Sequence, residues 1–334
     1  MRRLFIVLIL ILAPVGAAFY AVRADRYRAF QAPVFVDIPR GTSTLTIGEM
    51  LTDAGVVRHP LVFALARLMR SSGRAQAGEY HFEQAATPAE VFERLARGDV
   101  YQIEVRVPEG SDVFDIARLV QAAGLATSAQ FLRVARSQEG HLFPATYFFR
   151  RRANAETVCR TMRAQFDKVW HELGGPASDE ERTLIIASLV ETEARLDEER
   201  PRIAAVYLNR LRLKMPLEAD PTVAYAAKLD GRWTGVIRRD DLDNRHAYNT
   251  YRHAGLPPGP VANPGRASIE AALHPAESKE MYFVARADHS GGHVFSENYE
   301  AHQRAVAAYR HAQHTSQPSP AGPHVAAHAR RAAR

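Results

Sequence analysis

Cysteine is almost missing from this chain: Cys159 is the only one in 334 residues. No intrachain disulfide can form, and no cysteine cluster can hold zinc or an iron–sulfur centre. Stability must come from ordinary apolar cores. Lysine is also scarce, with Lys168, Lys214, Lys228 and Lys279 spread along the chain in no constellation that would hold pyridoxal phosphate. The other basic residues are scattered too, which argues against a nucleic-acid partner despite a formal net charge of +6. That charge suits an anionic lipid surface or wall polymer, and solubility alone would also account for it. With 46% hydrophobic and 24% charged residues, the chain is neither disordered nor fibrous over most of its length and has room for one large or two modest domains.

One long apolar run is present. Residues 4–22 carry no charge and are interrupted only by Pro14 and Gly16. At about 1.5 Å per residue a helix of that length nearly spans a bilayer core of roughly 30 Å. Arg2 and Arg3 favour keeping residues 1–3 in the cytoplasm and exporting the rest, whereas Arg23, Arg26 and Arg28 weaken that asymmetry. A cleaved signal peptide competes with the anchor, because the basic head and Gly16, Ala17 and Ala18 resemble its two ends. The anchor reading gives a single-pass protein of the inner (cytoplasmic) membrane with its body in the periplasm.

Periodicity divides the body in two. Alternation at 34–38 and 80–82 predicts strands, and 46–51 and 61–69 read as helical. Thr87, Pro88 and Glu90 form a helix start that runs to Arg97 and stops at Gly98. Residues 34–104 thus form a small α+β module. Residues 101–107 alternate again, Pro108–Glu109–Gly110 turns the chain, and helix is expected over 113–122, 156–173, from a capping box of Ser178 and Glu181, and over 202–213. Asp220 is placed to cap a short helix over 222–227. Residues 255–265, with four prolines and three glycines, read as an ordered loop crossing the surface. Helix resumes at 267–272 and a strand is expected at 281–285. Residues 313–334 lack an apolar period and read as a disordered tail. His311, His314, His324 and His328 there would bind metal only adventitiously.

The stretch 184–194, LIIASLVETEA, concentrates the chemistry. At 3.6 residues per turn Glu191 and Glu193 stand about 200° apart around a helix, so one can face a cleft while the other pairs elsewhere. A glutamate among apolar side chains is a general acid by desolvation, which raises its proton affinity. The bland alternative is a solvent-facing carboxylate paired with Arg200 or Arg202.

The run ASLVETEARLDEERPRIAAVYLNRLRLKMPLEADPTVAYA strongly resembles the endolytic murein transglycosylase family, also described as YceG-like. Further matches are EGHLFPATYFF at 139–149, NTY at 249–251, GLPPGPVANPG at 255–265 and GGHVFSENYEAH at 291–302. The likeness extends from the apolar run to about Tyr309. The chain departs from the commonest wording at Thr192 and Ala194, where many relatives carry lysine and threonine.

The resemblance implies an α+β fold with an N-terminal transmembrane helix, a LysM-like module at 34–104 and a larger mixed α+β catalytic domain at 105–309. It implies cleavage of the β-1,4 bond between N-acetylmuramic acid and N-acetylglucosamine in nascent peptidoglycan strands, leaving 1,6-anhydromuramoyl ends, with no cofactor and no metal. Glu191 is then the catalytic residue, acting as acid and then base while the muramic acid's own 6-hydroxyl attacks, which gains from proximity. Glu193, Glu199, Arg200, Asn209, Arg210, Asp220, Thr222, Tyr225 and Asn249 become substrate-binding or supporting residues. Against this, Asp220 and Thr222 serve equally to start a helix, and Glu199 and Arg210 to support the fold as an ion pair. His293 and His302 are read as positioning or structural. Wall synthases of the elongation machinery are the partners the family implies. Hydrolysis of the same bond and a non-catalytic wall-binding scaffold are the competing functions.

Overall fold

The computed structural model describes residues 2–70, 73–288 and 290–316, with side chains from residue 12 to residue 313. It is mixed α+β and divides into two compact units, Met1–Glu104 with Phe148–Ala153, and Val105–Tyr147 with Asn154–Arg334.

The first unit opens with α1 (Arg2–Arg23), which covers the expected anchor. Among the described residues no helix is both long and apolar enough to cross a membrane; residues 4–11 of the run lie outside those whose side chains are described. The far end of the run has a different role from the one expected. Val22 is fully buried among Leu51, Phe63, Tyr80, Phe82, Phe92 and Leu95, so it belongs to the core of the module.

That core is closed by β1 (Val34–Ile38), α2 (Thr44–Asp53), α3 (Pro60–Leu68), β2 (Gly78–Phe82) and α4 (Pro88–Arg97). The strands pair antiparallel from Val34 opposite Phe82 to Ile38 opposite Gly78, which turns Val36 and Ile38 inward by period-two alternation. Each helix start has its own chemistry. The Ser43 hydroxyl accepts from the Thr46 amide, His59 Nδ1 accepts from the Leu61 amide ahead of Pro60, and Thr87 and Glu90 form the expected reciprocal capping box. Gly98 ends α4 in the left-handed region, φ 73°. Residues 148–153 join this unit through Arg151, which donates to the buried Glu79 carboxylate at 2.7 Å and lies over the Phe35 ring.

The second unit is mainly helical: α5 (Val113–Ala122), α6 (Ser128–Ala135), α7 (Ala155–Glu172), α8 (Glu180–Glu193), α9 (Arg200–Arg212), α10 (Asp220–Leu229), α11 (Arg239–Asp243), α12 (Arg266–Leu273) and α13 (Tyr299–Ser316). Its strand content is small. β3 (Ile103–Arg106) pairs with β4 (Thr146–Phe149), and β5 (Tyr282–Ala285) with β6 (His293–Ser296). Helix α8 is central, packed by α9, α10 and α12. Every residue from Thr183 to Val190 is buried, as befits a helix apolar on all sides. Its two ends emerge from the core, the last turn carrying Glu191 and Glu193.

Four local expectations change. Ser178 does not cap α8, because a 3-10 turn, Ala177–Asp179, precedes it and moves the start past that hydroxyl. Asp220 is the first residue of α10 and caps nothing, its carboxylate accepting instead from the Tyr251 hydroxyl at 2.7 Å. Residues 259–265 are buried, not a surface crossing. Such burial is tolerated because Ser188, Ser111 and Glu191 accept the amides of Val261, Asn263 and Gly265. Residues 313–316 end helix α13; 317–334, with His324 and His328, and the His314 side chain lie outside the description.

Phe92 is 1% exposed in the core of the first unit. Replacing it with alanine is expected to lower that unit's stability by about 3–5 kcal/mol, read as an earlier first transition in urea unfolding followed by circular dichroism.

Candidate active site

The C-terminal turn of α8 points its two glutamates in different directions, as their spacing requires. Glu193 and Asp220 together line two neighbouring clefts. One, about 260 Å³, is walled by Tyr207, Arg210, Tyr251 and His302; the other, about 470 Å³, by Arg195, Arg286, the Gly291–Gly292 turn and His293. The Glu193 carboxyl is thus reached from two sides. Burial, reinforced by the nearby Asp220 charge, pushes the Glu193 carboxyl up to about 7, so it holds its proton far higher than an ordinary carboxylic acid. Buried acids of this kind suit proton donation near neutral pH.

Glu191 lies in a separate polar pocket with a side chain only 6% exposed. Its Oε2 accepts the Gly265 amide at 2.9 Å, and Arg200 reaches its Oε1 at 3.4 Å. Arg200 is held in turn by the Ser268 hydroxyl at 2.9 Å and by Asp197. A third carboxylate, Glu109, packs against the same glycine. A Cβ on Gly265 would stand 2.1 Å from Glu109 Oε1, so only glycine lets both carboxylates approach. Burial, then the charge of Glu191, raises the Glu109 carboxyl. Neighbouring Glu139 is pushed up to about 8 by its near-complete burial, despite accepting the Val113 amide at 3.0 Å and the Asn263 side chain at 2.7 Å.

The YceG-like family model matches residues 36–308. The chain belongs to the YceG-like family. A relative from Bacillus subtilis (strain 168), named endolytic murein transglycosylase, is 30% identical over 309 residues, covering 83% of this chain and 84% of the relative. A Streptococcus pneumoniae (strain D39) protein of the same name is 29% identical over 322 residues; the match covers 83% of this chain but 58% of that longer protein. A crystal structure of a YceG-like protein from Listeria monocytogenes superposes with a TM-score of 0.55 at 28% identity, over 82% of this chain and 99% of that one.

The residues singled out by the YceG-like motifs do not all meet. Glu193, Arg210 and Asp220 line the clefts. Glu191 and Arg200 share the adjoining polar pocket. Glu199 is 3% exposed and accepts the His293 amide and ring Nδ1, the latter at 2.8 Å, which fixes β6. The Asn209 amide donates to the carbonyls of Ser278 and Glu280, and Arg210 donates to those of Met281, Pro216 and Leu217. Thr222 bonds to the Ala219 carbonyl and to Thr250, and the Asn249 amide donates to three carbonyls at 241, 242 and 244. The Tyr225 hydroxyl pairs with Glu139 beneath the rings of Phe114 and Tyr248. These last residues shape the walls from inside.

Sequence reasoning missed Glu109, which reads only as the middle of a Pro–Glu–Gly turn, and Tyr207, Tyr251 and the Tyr282–His302 stack, whose roles depend on distant elements. Tyr251 had a signal in the NTY motif. Among the described residues no group of three or more histidine, cysteine or acidic side chains is arranged to hold a metal ion.

A carboxyl raised on folding stabilises the native state fully below its unfolded value and loses that contribution as pH climbs through the folded one. The Glu193 contribution is therefore expected to disappear between about pH 4.5 and 7. Glu109 and Glu139 act in the same direction, so Glu193 is isolated by difference: relative to wild type, Glu193→Gln should gain stability from pH 4.5 to 8 in urea melts.

Proposed function

We propose that this chain is an endolytic peptidoglycan lytic transglycosylase, and that Glu193 is its acid. The observation that carries the reading is the Glu193 carboxyl at the junction of two clefts, with its proton retained to about pH 7. The bond cleaved is the β-1,4 link from N-acetylmuramic acid to N-acetylglucosamine. Glu193 protonates the leaving glycosidic oxygen, and its carboxylate then takes the proton from the muramic acid 6-hydroxyl as that oxygen attacks C1. The product is a 1,6-anhydro end. Both steps use one residue, and neither needs a cofactor or a bound water.

The acid role expected of Glu191 thus passes to its neighbour two residues on. Glu191, gripped by Arg200 and the Gly265 amide, fixes the last turn of α8 and the α12 start against each other. The names of the Bacillus and Streptococcus relatives support the same activity. Hydrolysis of the same bond keeps one specific observation in its favour: Asp220 lines both clefts with Glu193, and paired carboxylates are the hydrolytic plan. Its hydrogen bond from Tyr251 occupies one Asp220 oxygen, which favours the single-residue route. Glycan binding without turnover would mark a wall-binding scaffold.

The same reading places the protein in the inner membrane. The run 4–22 serves as its single-pass anchor, with Val22 at its end turned into the core of the module; residues 1–3 lie in the cytoplasm, and the module at 34–104 and the catalytic domain at 105–309 lie in the periplasm, beside wall synthases of the elongation machinery. The strand–helix–helix–strand order of β1, α2, α3 and β2 supports calling the module LysM-like.

Mass spectrometry of purified glycan strands after incubation tests the chemistry. Anhydromuramoyl ends are expected from wild type, with the rate falling as pH rises through about 7. Glu193→Gln should lose about 10²–10⁴-fold, and Glu191→Gln about 10²-fold through misplacement while keeping the wild-type pH midpoint. Reducing ends would select hydrolysis, and full turnover by Glu193→Gln would remove it from the acid role.

A further inference from the structure

The smaller cleft beside Glu193 contains two polar atoms without partners. The Tyr207 hydroxyl and His302 Nδ1 are both buried and make no hydrogen bond, and both residues line this cleft. Tyr207 is 2% exposed and lies in the helical core, so its ring cannot swing out to reach solvent. A buried hydroxyl left unpaired carries its full desolvation cost, and a cleft lined by two residues with such atoms is shaped for something that pairs with them.

The lining restricts what that ligand can be. Two carboxylates besides the raised Glu193 carboxyl, Glu218 and Asp220, face the cleft and oppose an anion. Arg210 is largely committed, because its Nε and Nη1 already donate to the carbonyls of Met281, Pro216 and Leu217 and to the Glu218 carboxylate. A cation is disfavoured on the other side by that same guanidinium. The remaining walls, Leu217 and the Phe283 ring, are apolar. His302 is stacked on the Tyr282 ring at 5.0 Å, and burial with Arg210 nearby holds its proton affinity down. The neutral ring is thereby favoured, and its unpartnered Nδ1 is placed to accept.

A neutral group carrying one acceptor, one donor and a methyl matches this set. We propose that the cleft is an acetamido subsite: the Tyr207 hydroxyl donates to the carbonyl oxygen of an N-acetylhexosamine, His302 Nδ1 accepts its amide hydrogen, and Leu217 and Phe283 receive the methyl. The cavity of about 260 Å³ accepts one such sugar substituent beside the acid. The inference rests on reading the cleft as a glycan site, and it makes Tyr207 and His302 determinants of specificity.

Binding without turnover separates the two claims. In the Glu193→Gln full-length protein, calorimetry should give tetra-N-acetylchitotetraose at least 10-fold tighter binding than cellotetraose, which has hydroxyls where the acetamides stand. Adding Tyr207→Phe should weaken the acetylated sugar about 10-fold and leave cellotetraose unchanged. His302→Phe, which keeps the stack on Tyr282, should do the same and serves if the tyrosine change harms folding. Equal binding of the two sugars, or equal losses for both in the variants, overturns the subsite. Strand cleavage by wild type alongside equal binding would leave the proposed activity standing; discrimination without any cleavage would do the reverse.

Discussion

A single buried asparagine side chain joins the segments on which the site depends. Asn263, fully buried, donates from its amide nitrogen to the Ser111 carbonyl and the Glu139 carboxylate, and its amide oxygen accepts from the Leu142 amide. Its own backbone completes a reciprocal pair with 110–111, taking the Gly110 amide and donating to the Ser111 carbonyl. Three stretches more than a hundred residues apart in places are thereby locked together: the turn carrying Glu109, the 139–142 loop and the loop that ends in Gly265. None of these groups can be left unpaired in a buried setting without the full desolvation cost.

From that junction the electrostatics follow. Holding the 255–265 loop inside the unit brings the Gly265 amide to Glu191 and the Gly265 Cα to Glu109. Glu191 and Glu109 therefore meet at one glycine, while Glu139 is held through Asn263. Glu191 has Arg200 and an amide; Glu139 and Glu109 are raised by burial. Glu193 stands apart from all of them on the opposite face of the helix, desolvated but open to the clefts. Burial, with the Asp220 charge nearby, raises its carboxyl to about 7.

Family likeness points to Glu191, whereas the clefts are lined by Glu193 in the same helix turn. VETEA does not say which carboxylate meets a cleft, because both stand in the same turn and each has arginines within reach in sequence. The difference is made by α9, α10 and α12, which supply Arg200, Asp220 and the Gly265 amide to different sides of α8. Much of the remaining motif proved structural for a related reason. Asparagine, arginine and threonine are equally good at bonding sugar hydroxyls and at bonding buried carbonyls, and Asn209, Thr222 and Asn249 do the latter.

The sequence by itself determined the α+β class, the helix starts with local chemistry such as Thr87–Glu90, the two-part organisation and the divergence of Glu191 from Glu193. Each of these depends on residue type and on periods of two or 3.6, which are local properties. Only the tertiary structure decided which glutamate meets a cleft, that a proline- and glycine-rich loop is buried, that Val22 completes a core, and that Tyr207, Tyr251 and His302 converge. Those outcomes depend on which distant groups satisfy a buried amide or crowd a carboxyl, and such pairings are set by packing between elements, not by the order of residues within one.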